Sequence, residues 1–283
     1  MRDMRRRLVH RIRGVRVQPR SPQPPPVADD EWSEAAAAME RDGPNVIGAT
    51  GGSGTRVLAR VVRRAGMYIG SDVNRSEDAL DFAALSDRWV NTVAAGERPA
   101  ALVEELRRLV VRQQRSRGDA ARWGWKEPRS LLLLQLLVDE LPGLRYLHVV
   151  RDGRDMAFSQ NQVQLRKHGE AVLGSDDAAH PLRSIALWAE ANERAADIGE
   201  RELGDHYLRI RFEDLCAEPS LFVERVLSFF QLPLDAAAEI AAEEVDAPTT
   251  FGRWRSADPA MVEAMEERAG HALRRFGYEL ENM

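Results

Sequence analysis

The segment Val46-Ile47-Gly48-Ala49-Thr50-Gly51-Gly52-Ser53-Gly54-Thr55-Arg56 decides how this chain of 283 residues is read. A short apolar run ends in a glycine-rich turn, and the turn opens into residues 55–65, whose apolar side chains recur at helical spacing. Strand, loop and helix in that order let backbone N–H groups converge on an anion with no side chains in the way, while the helix N-terminus adds partial positive charge. Gly51, Gly52, Ser53, Gly54 and Thr55 are therefore candidate anion ligands, and Arg56 can add a charge-assisted hydrogen bond. The alternative is a tight turn without a ligand. The segment is not a Walker A loop: Thr55, not lysine, follows Gly54, and Ala49 stands where the first glycine belongs.

Working outward, short extended candidates at residues 67–70, 122–126, 145–150 and 206–211 alternate with helical stretches at 31–41, 76–115, 131–141, 152–167, 182–199 and 220–230. This alternation predicts an α/β fold, a P-loop-like parallel β-sheet flanked by helices on both faces. One domain is expected over residues 29–283. Residues 1–28 form a basic, proline-rich arm: the first twenty residues hold eight arginines and one acid, and five prolines lie between Gln18 and Pro26. Such an arm is either solvated and disordered or in peripheral contact with an anionic membrane.

The formal net charge of -5 argues against a general nucleic-acid binder, and no apolar run approaches the roughly 20 residues that cross a bilayer. The single cysteine, Cys216, allows neither an internal disulfide nor a multi-cysteine metal site, which points to a cytoplasmic protein. Only two of the 40 basic residues are lysines, Lys126 and Lys167. A lysine kept against that bias suits a place where a compact ammonium, not a planar fork, must approach a small reacting group.

A second anion site is legible in Tyr146-Leu147-His148-Val149-Val150-Arg151-Asp152-Gly153-Arg154-Asp155-Met156-Ala157-Phe158-Ser159. An arginine at the end of a buried strand and a serine eight residues later on the ensuing helix can grip one phosphate from two sides. Asp152 suits an N-cap, and Asp155 suits the first helical turn. The alternative is that Arg151 merely pairs with a nearby acid.

Together the two segments, about one hundred residues apart, resemble the sulfotransferase superfamily that uses 3′-phosphoadenosine-5′-phosphosulfate (PAPS). Its phosphate loop ends in Ser-Gly-Thr, and its 3′-phosphate motif is Arg-Asp-x-Arg-Asp followed by serine. Trp125-Lys126-Glu127-Pro128-Arg129, Arg211-Phe212-Glu213-Asp214-Leu215 and Phe251-Gly252-Arg253-Trp254-Arg255 resemble further segments of that superfamily. The resemblance implies that the loop holds the 5′-phosphosulfate, that Arg151 and Ser159 hold the 3′-phosphate, and that Arg253 and Arg255 add a C-terminal basic element.

It also implies a metal-independent transfer to a hydroxyl of a sugar, glycolipid or other small-molecule acceptor. Lys126 is the expected catalytic cation; the alternative is that it pairs only with Glu127 or another acid. Gly52 stands where the superfamily often carries a loop cation, a role open to Arg56 or Lys126. Asp72, Glu77, Asp78 and Asp81 are candidate general bases, Asp78 being favoured, although residues 74–78 also read as a helix start whose acids complement the dipole. His148 reads as a core histidine. Two rivals remain, a nucleotide-dependent kinase using a Walker B-like Asp152 and a non-catalytic nucleotide-binding module.

Overall fold

In the computed structural model, residues 25–281 are described, apart from residue 176. Elements follow in the order α1 (Asp29–Asp42), β1 (Asn45–Ala49), α2 (Thr55–Arg64), α3 (Leu80–Ala94), α4 (Ala100–Arg115), β2 (Gly124–Lys126), α5 (Leu134–Glu140), β3 (Arg145–Val150), α6 (Gly153–Ala157) and α7 (Val163–Leu173). After these come α8 (His180–Ile198), β4 (Tyr207–Arg211), α9 (Phe212–Ala217), α10 (Pro219–Phe229), α11 (Ala237–Glu244) and α12 (Pro259–Arg275). All strand pairs are parallel, and the sheet order is β2-β1-β3-β4. The chain leaves β1 for β2 on one side and returns to β3 on the other, which places β1 at the switch point where open α/β sheets bind ligands at their carboxyl ends.

Because neighbouring strand residues face opposite ways, the sheet feeds two cores. Val46, Trp125 and Tyr146 pack with α1, α3, α4 and α5 on one face, while Ile47, Leu147, Val149 and Ile210 pack with α2, α10 and α11 on the other. A third cluster, centred on Trp188 of α8 with Met265 and Phe276, closes the end of β3. Trp125 of β2 stacks on Phe82 of α3 with ring centroids 3.9 Å apart, which fixes α3 against the strand that ends in Lys126.

Several sequence expectations change. Residues 152–167 are not one helix: α6 ends at Ala157, and Ser159 lies in the turn before α7. The predicted helix at 131–141 is a 3₁₀ turn over Pro128–Leu133 followed by α5. Residues 74–78 do not start a helix. The side chain of Asn74 accepts from the N–H groups of Ser76 (2.7 Å) and Asp78 (3.0 Å), an Asx-type turn that competes with the helix until Leu80. Tyr68 makes only an isolated parallel bridge to Trp123. Most of the basic arm lies outside the described residues, but Val27 packs against the core near α1.

Candidate active site

The glycine-rich turn leaves β1 with Gly52 at φ +96° and Gly54 at φ +85°, conformations that L side chains rarely adopt. A Cβ at Gly54 would stand 2.3 Å from the ring of Phe212, so this position also needs glycine for space. The hydroxyl of Ser53 is buried and turned inward, donating to the carbonyl of Thr50 at 2.8 Å. It therefore braces the turn and is not free to donate outward. Among the described residues, the N–H groups of Gly52, Ser53 and Gly54 have no acceptor, whereas Gly51 N–H donates to Gln164 Oε1 at 3.1 Å. Thr55 and Arg56 line the same cleft, and Arg56 is exposed.

That cleft has a volume of about 330 Å³ and brings Lys126, Asp78 and Arg151 to the loop. Lys126 ends β2, and its side chain is 1% exposed. Its ammonium donates to the carbonyl of Ser76 at 2.5 Å and pairs with Asp78. The partner is thus Asp78, not the neighbouring Glu127. Burial lowers the lysine pKa, opposed by the Asp78 carboxylate. The second oxygen of Asp78 accepts from Asn74 Nδ2 at 2.9 Å. Of the four acids considered as bases, only Asp78 lines the cleft: Glu77 pairs with Arg63 and Asp81 with Arg112.

Glu127 points away into a buried cluster. Its carboxylate accepts from Ser86 Oγ and Arg129 Nε, both at 2.9 Å, and Arg129 pairs in turn with Asp87. Ser86 lies forty residues before Lys126 and gave no signal in the sequence, and Arg129, although it ends the segment Trp125–Arg129, was given no role there; the fold brings both to Glu127 behind Lys126.

Arg151 follows β3 and is 5% exposed. Its guanidinium donates to Gly52 O at 3.3 Å, Thr250 O at 3.0 Å and Thr250 Oγ1 at 2.9 Å, stacks over Phe251, and lies 3.5 Å from Asp155. Its Nε is buried without a partner among the described residues. Arg253 meets the same carbonyl, Thr250 O, at 3.2 Å, and burial together with the charge of Arg151 lowers its pKa. It also reaches Phe158 O at 3.5 Å, beside Ser159. Arg151, Arg253 and Ser159 thus lie in one neighbourhood.

Arg255 does not join them. Its guanidinium lies over the Trp254 ring and lines a separate hollow with Arg211, Glu213 and Tyr278. Asp155 holds this segment by accepting from the N–H groups of Gly252 (2.8 Å) and Trp254 (3.3 Å). Asp152 caps α6 through Arg154 N–H at 2.9 Å and pairs with the Arg154 guanidinium, so its carboxylate is engaged in structure instead of standing free as a Walker B acid.

His148 is fully buried between Tyr207 Oη (2.7 Å) and Asn192 Oδ1 (2.8 Å), and burial pulls its pKa down to about 4. It belongs to the core. Among the described residues no group of three or more His, Cys, Asp or Glu side chains could hold a metal ion, and no helix is long and apolar enough to cross a membrane.

Carbohydrate sulfotransferase 5 of Mus musculus is 26% identical over 52% of this chain, a match that spans 45% of the mouse protein's length. A sulfotransferase from Mycobacterium avium superposes with a TM-score of 0.59 at 15% identity, covering 90% of this chain and 81% of that one. A sulfotransferase from Alicyclobacillus acidocaldarius gives 0.52 at 16% identity, covering 83% and 94%. These structures share the fold. The model of the sulfotransferase family matches residues 49–236, from the end of β1 to the residue before α11, and the chain belongs to that family.

Proposed function

We propose that this sulfotransferase takes its sulfuryl group from PAPS and transfers it, without a metal, to a hydroxyl of a sugar, glycolipid or other small-molecule acceptor. The observation that carries this reading is the meeting, in one cleft, of a buried ammonium, the unengaged N–H groups of Gly52 and Gly54 and a guanidinium with a spare donor. A buried donor without an acceptor is unfavourable, so a ligand rich in anionic oxygens fits this set.

When bound, the nucleotide supplies an activated sulfuryl group on a phosphate leaving group. The N–H groups of Gly52, Ser53 and Gly54, with Thr55 and Arg56 in the first turn of α2, hold the 5′ end. Arg151, Arg253 and Ser159 hold the 3′-phosphate, and Gly51 shapes the turn. Arg255 is left outside this set. Lys126 would donate to the leaving-group oxygen, where negative charge would grow as the S–O bond breaks. The acceptor oxygen forms the new S–O bond, and its proton passes to a carboxylate oxygen of Asp78. In that role the Lys126–Asp78 pair opens as the ammonium turns to the donor.

The same reading places the enzyme in the cytoplasm and makes residues 1–28 a basic arm, either solvated or in peripheral contact with anionic membrane, that does not serve turnover on a soluble acceptor. The direct experiment supplies labelled PAPS and a panel of hydroxyl acceptors to the full chain in EDTA. Sulfated product is expected. Magnesium-dependent phosphoryl transfer from ATP, with no sulfation, would overturn the reading.

A further inference from the structure

The three glycines of the phosphate loop are not equivalent. The N–H groups of Gly52 and Gly54 are unengaged among the described residues, but that of Gly51 is held by Gln164, 113 positions later in the chain. The Gln164 carboxamide makes a second bond to the same turn, donating from Nε2 to the carbonyl of Ala49 at 3.4 Å. One side chain therefore spans the last carbonyl of β1 and the first amide of the loop. Gln164 is half-buried in the first turn of α7, and Asn161, just before that helix, lines the cleft.

α7 is itself anchored to α3. Lys167 Nζ pairs with Asp87 at 2.7 Å, His168 Nδ1 bonds Asn91 Oδ1 at 2.7 Å, and Asn91 Nδ2 donates to Lys167 O at 3.1 Å. Asp87 also pairs with Arg129, which pairs with Glu127 beside Lys126. The second of the chain's two lysines thus fastens the helix that grips the phosphate loop to the network behind the first.

We infer that Gln164 is a positioning residue for the sulfuryl donor. It withdraws Gly51 N–H from the ligand set and fixes the turn so that the amides of Gly52 and Gly54 face the cleft. The inference rests on the donor reading above. A neutral carboxamide suits the place: it satisfies one donor and one acceptor of the backbone without adding charge beside an anion site.

The test is calorimetric titration of the full chain with 3′-phosphoadenosine-5′-phosphate, for wild type, Gln164→Ala, Gln164→Met and Gln164→Glu, with donor KM, acceptor KM and thermal midpoint measured alongside. Gln164→Met keeps length and helix propensity while removing both hydrogen bonds, so it serves if the alanine variant folds poorly. Removing neutral hydrogen bonds from the loop is expected to weaken nucleotide binding about three- to tenfold. Donor KM should rise in parallel, with acceptor KM unchanged and the midpoint within about 4 °C of wild type.

Gln164→Glu retains an acceptor for Gly51 N–H but loses the donor to Ala49 and brings a negative charge toward the anion, so it should bind more weakly than Gln164→Met. A wild-type chain that does not bind the nucleotide overturns the donor reading itself. If wild type binds and Gln164→Met binds equally well, or if donor KM, acceptor KM and midpoint all deteriorate together, the positioning role alone is overturned.

Discussion

The two walls of the cleft are made of different materials. The loop wall presents backbone amides in a turn locked by Gly52, Gly54 and the inward hydroxyl of Ser53, and, Gly51 N–H aside, the amides of this turn have no partner among the described residues. On the facing wall the charged groups are already matched: Lys126 holds Asp78 and Ser76 O, and Asp78 holds Asn74. An unengaged cradle binds whatever anion enters it, while a matched pair changes partners only as charge moves. The contrast implies that changes on the loop wall alter affinity and changes on the facing wall alter turnover.

The sharpest way to break that comparison is Lys126→Ala. A preorganised donor to developing charge is worth on the order of a hundredfold to a thousandfold in rate, so kcat should fall at least tenfold while 3′-phosphoadenosine-5′-phosphate binds nearly as well. Lys126→Arg should not restore the rate, because the planar fork cannot copy the approach of an ammonium. Steady-state kinetics paired with calorimetry measures the split. Equal losses in affinity and rate would erase the distinction between the walls.

Arg151→Ala probes the other side. Removing a charged donor from the anion should weaken binding of 3′-phosphoadenosine-5′-phosphate by roughly 1.5 to 3 kcal/mol, and ATP, which lacks the 3′-phosphate, should be affected far less. Because Arg151 also donates to Gly52 O and Thr250, part of any loss could come from movement of the loop. The ATP titration separates the two: a loop that moves weakens both nucleotides equally.

Titration gives a third test, through two buried bases with opposite consequences. Lys126 acts as the charged form and its pKa is lowered, so the alkaline limb of the rate profile should lie below the ordinary lysine value of 10.5 and vanish in Lys126→Arg if residual activity is measurable. His148 is held neutral, with a folded pKa of about 4 against 6.5 for a free imidazole. Between those values the unfolded chain binds a proton that the folded chain refuses, so stability falls as pH drops from 6.5 toward 4. The full effect is on the order of 3 kcal/mol. Urea unfolding at a series of pH values measures it, and a flat profile would show that the imidazole is protonated in the fold.

Much of the loop wall was legible in the chain, because it depends on local order: strand, glycines, helix, and an arginine at the next strand's end. Backbone chemistry of this kind needs no knowledge of distant partners. The facing wall was legible only in its residue types. Lys126 and Asp78 stood out singly, but their pairing depends on the Asn74 turn, which the sequence presented as a helix start. Gln164 gave no signal, since a lone glutamine on a helix is ordinary until the fold places it against Gly51. Ser159 was placed on a helix because nothing in residues 152–167 marks the break after Ala157. Arg255 alternates with Arg253 in a basic segment, and only the Trp254 ring separates their directions.

The smallest expected effect concerns the start of the chain, whose described residues 25–28 line no part of the cleft. Residues 1–24 lack any core-forming pattern, so deleting them should leave nucleotide affinity, turnover on a soluble acceptor and thermal midpoint unchanged. Extending the deletion through residue 28 removes Val27, which packs against the core, and the Ala28 carbonyl that accepts from Trp32 N–H at 2.9 Å. A half-buried valine is worth about 1 kcal/mol, a fraction of the value for full burial, and in a chain of this size that shifts the midpoint by roughly 2 to 4 °C. Kinetic constants should stay the same in both truncations, because α1 and α4, where Val27 packs, supply no residue to the cleft. A drop in kcat or nucleotide affinity on removing residues 1–24 alone would show that the arm reaches the cleft, and the comparison would then need a third wall.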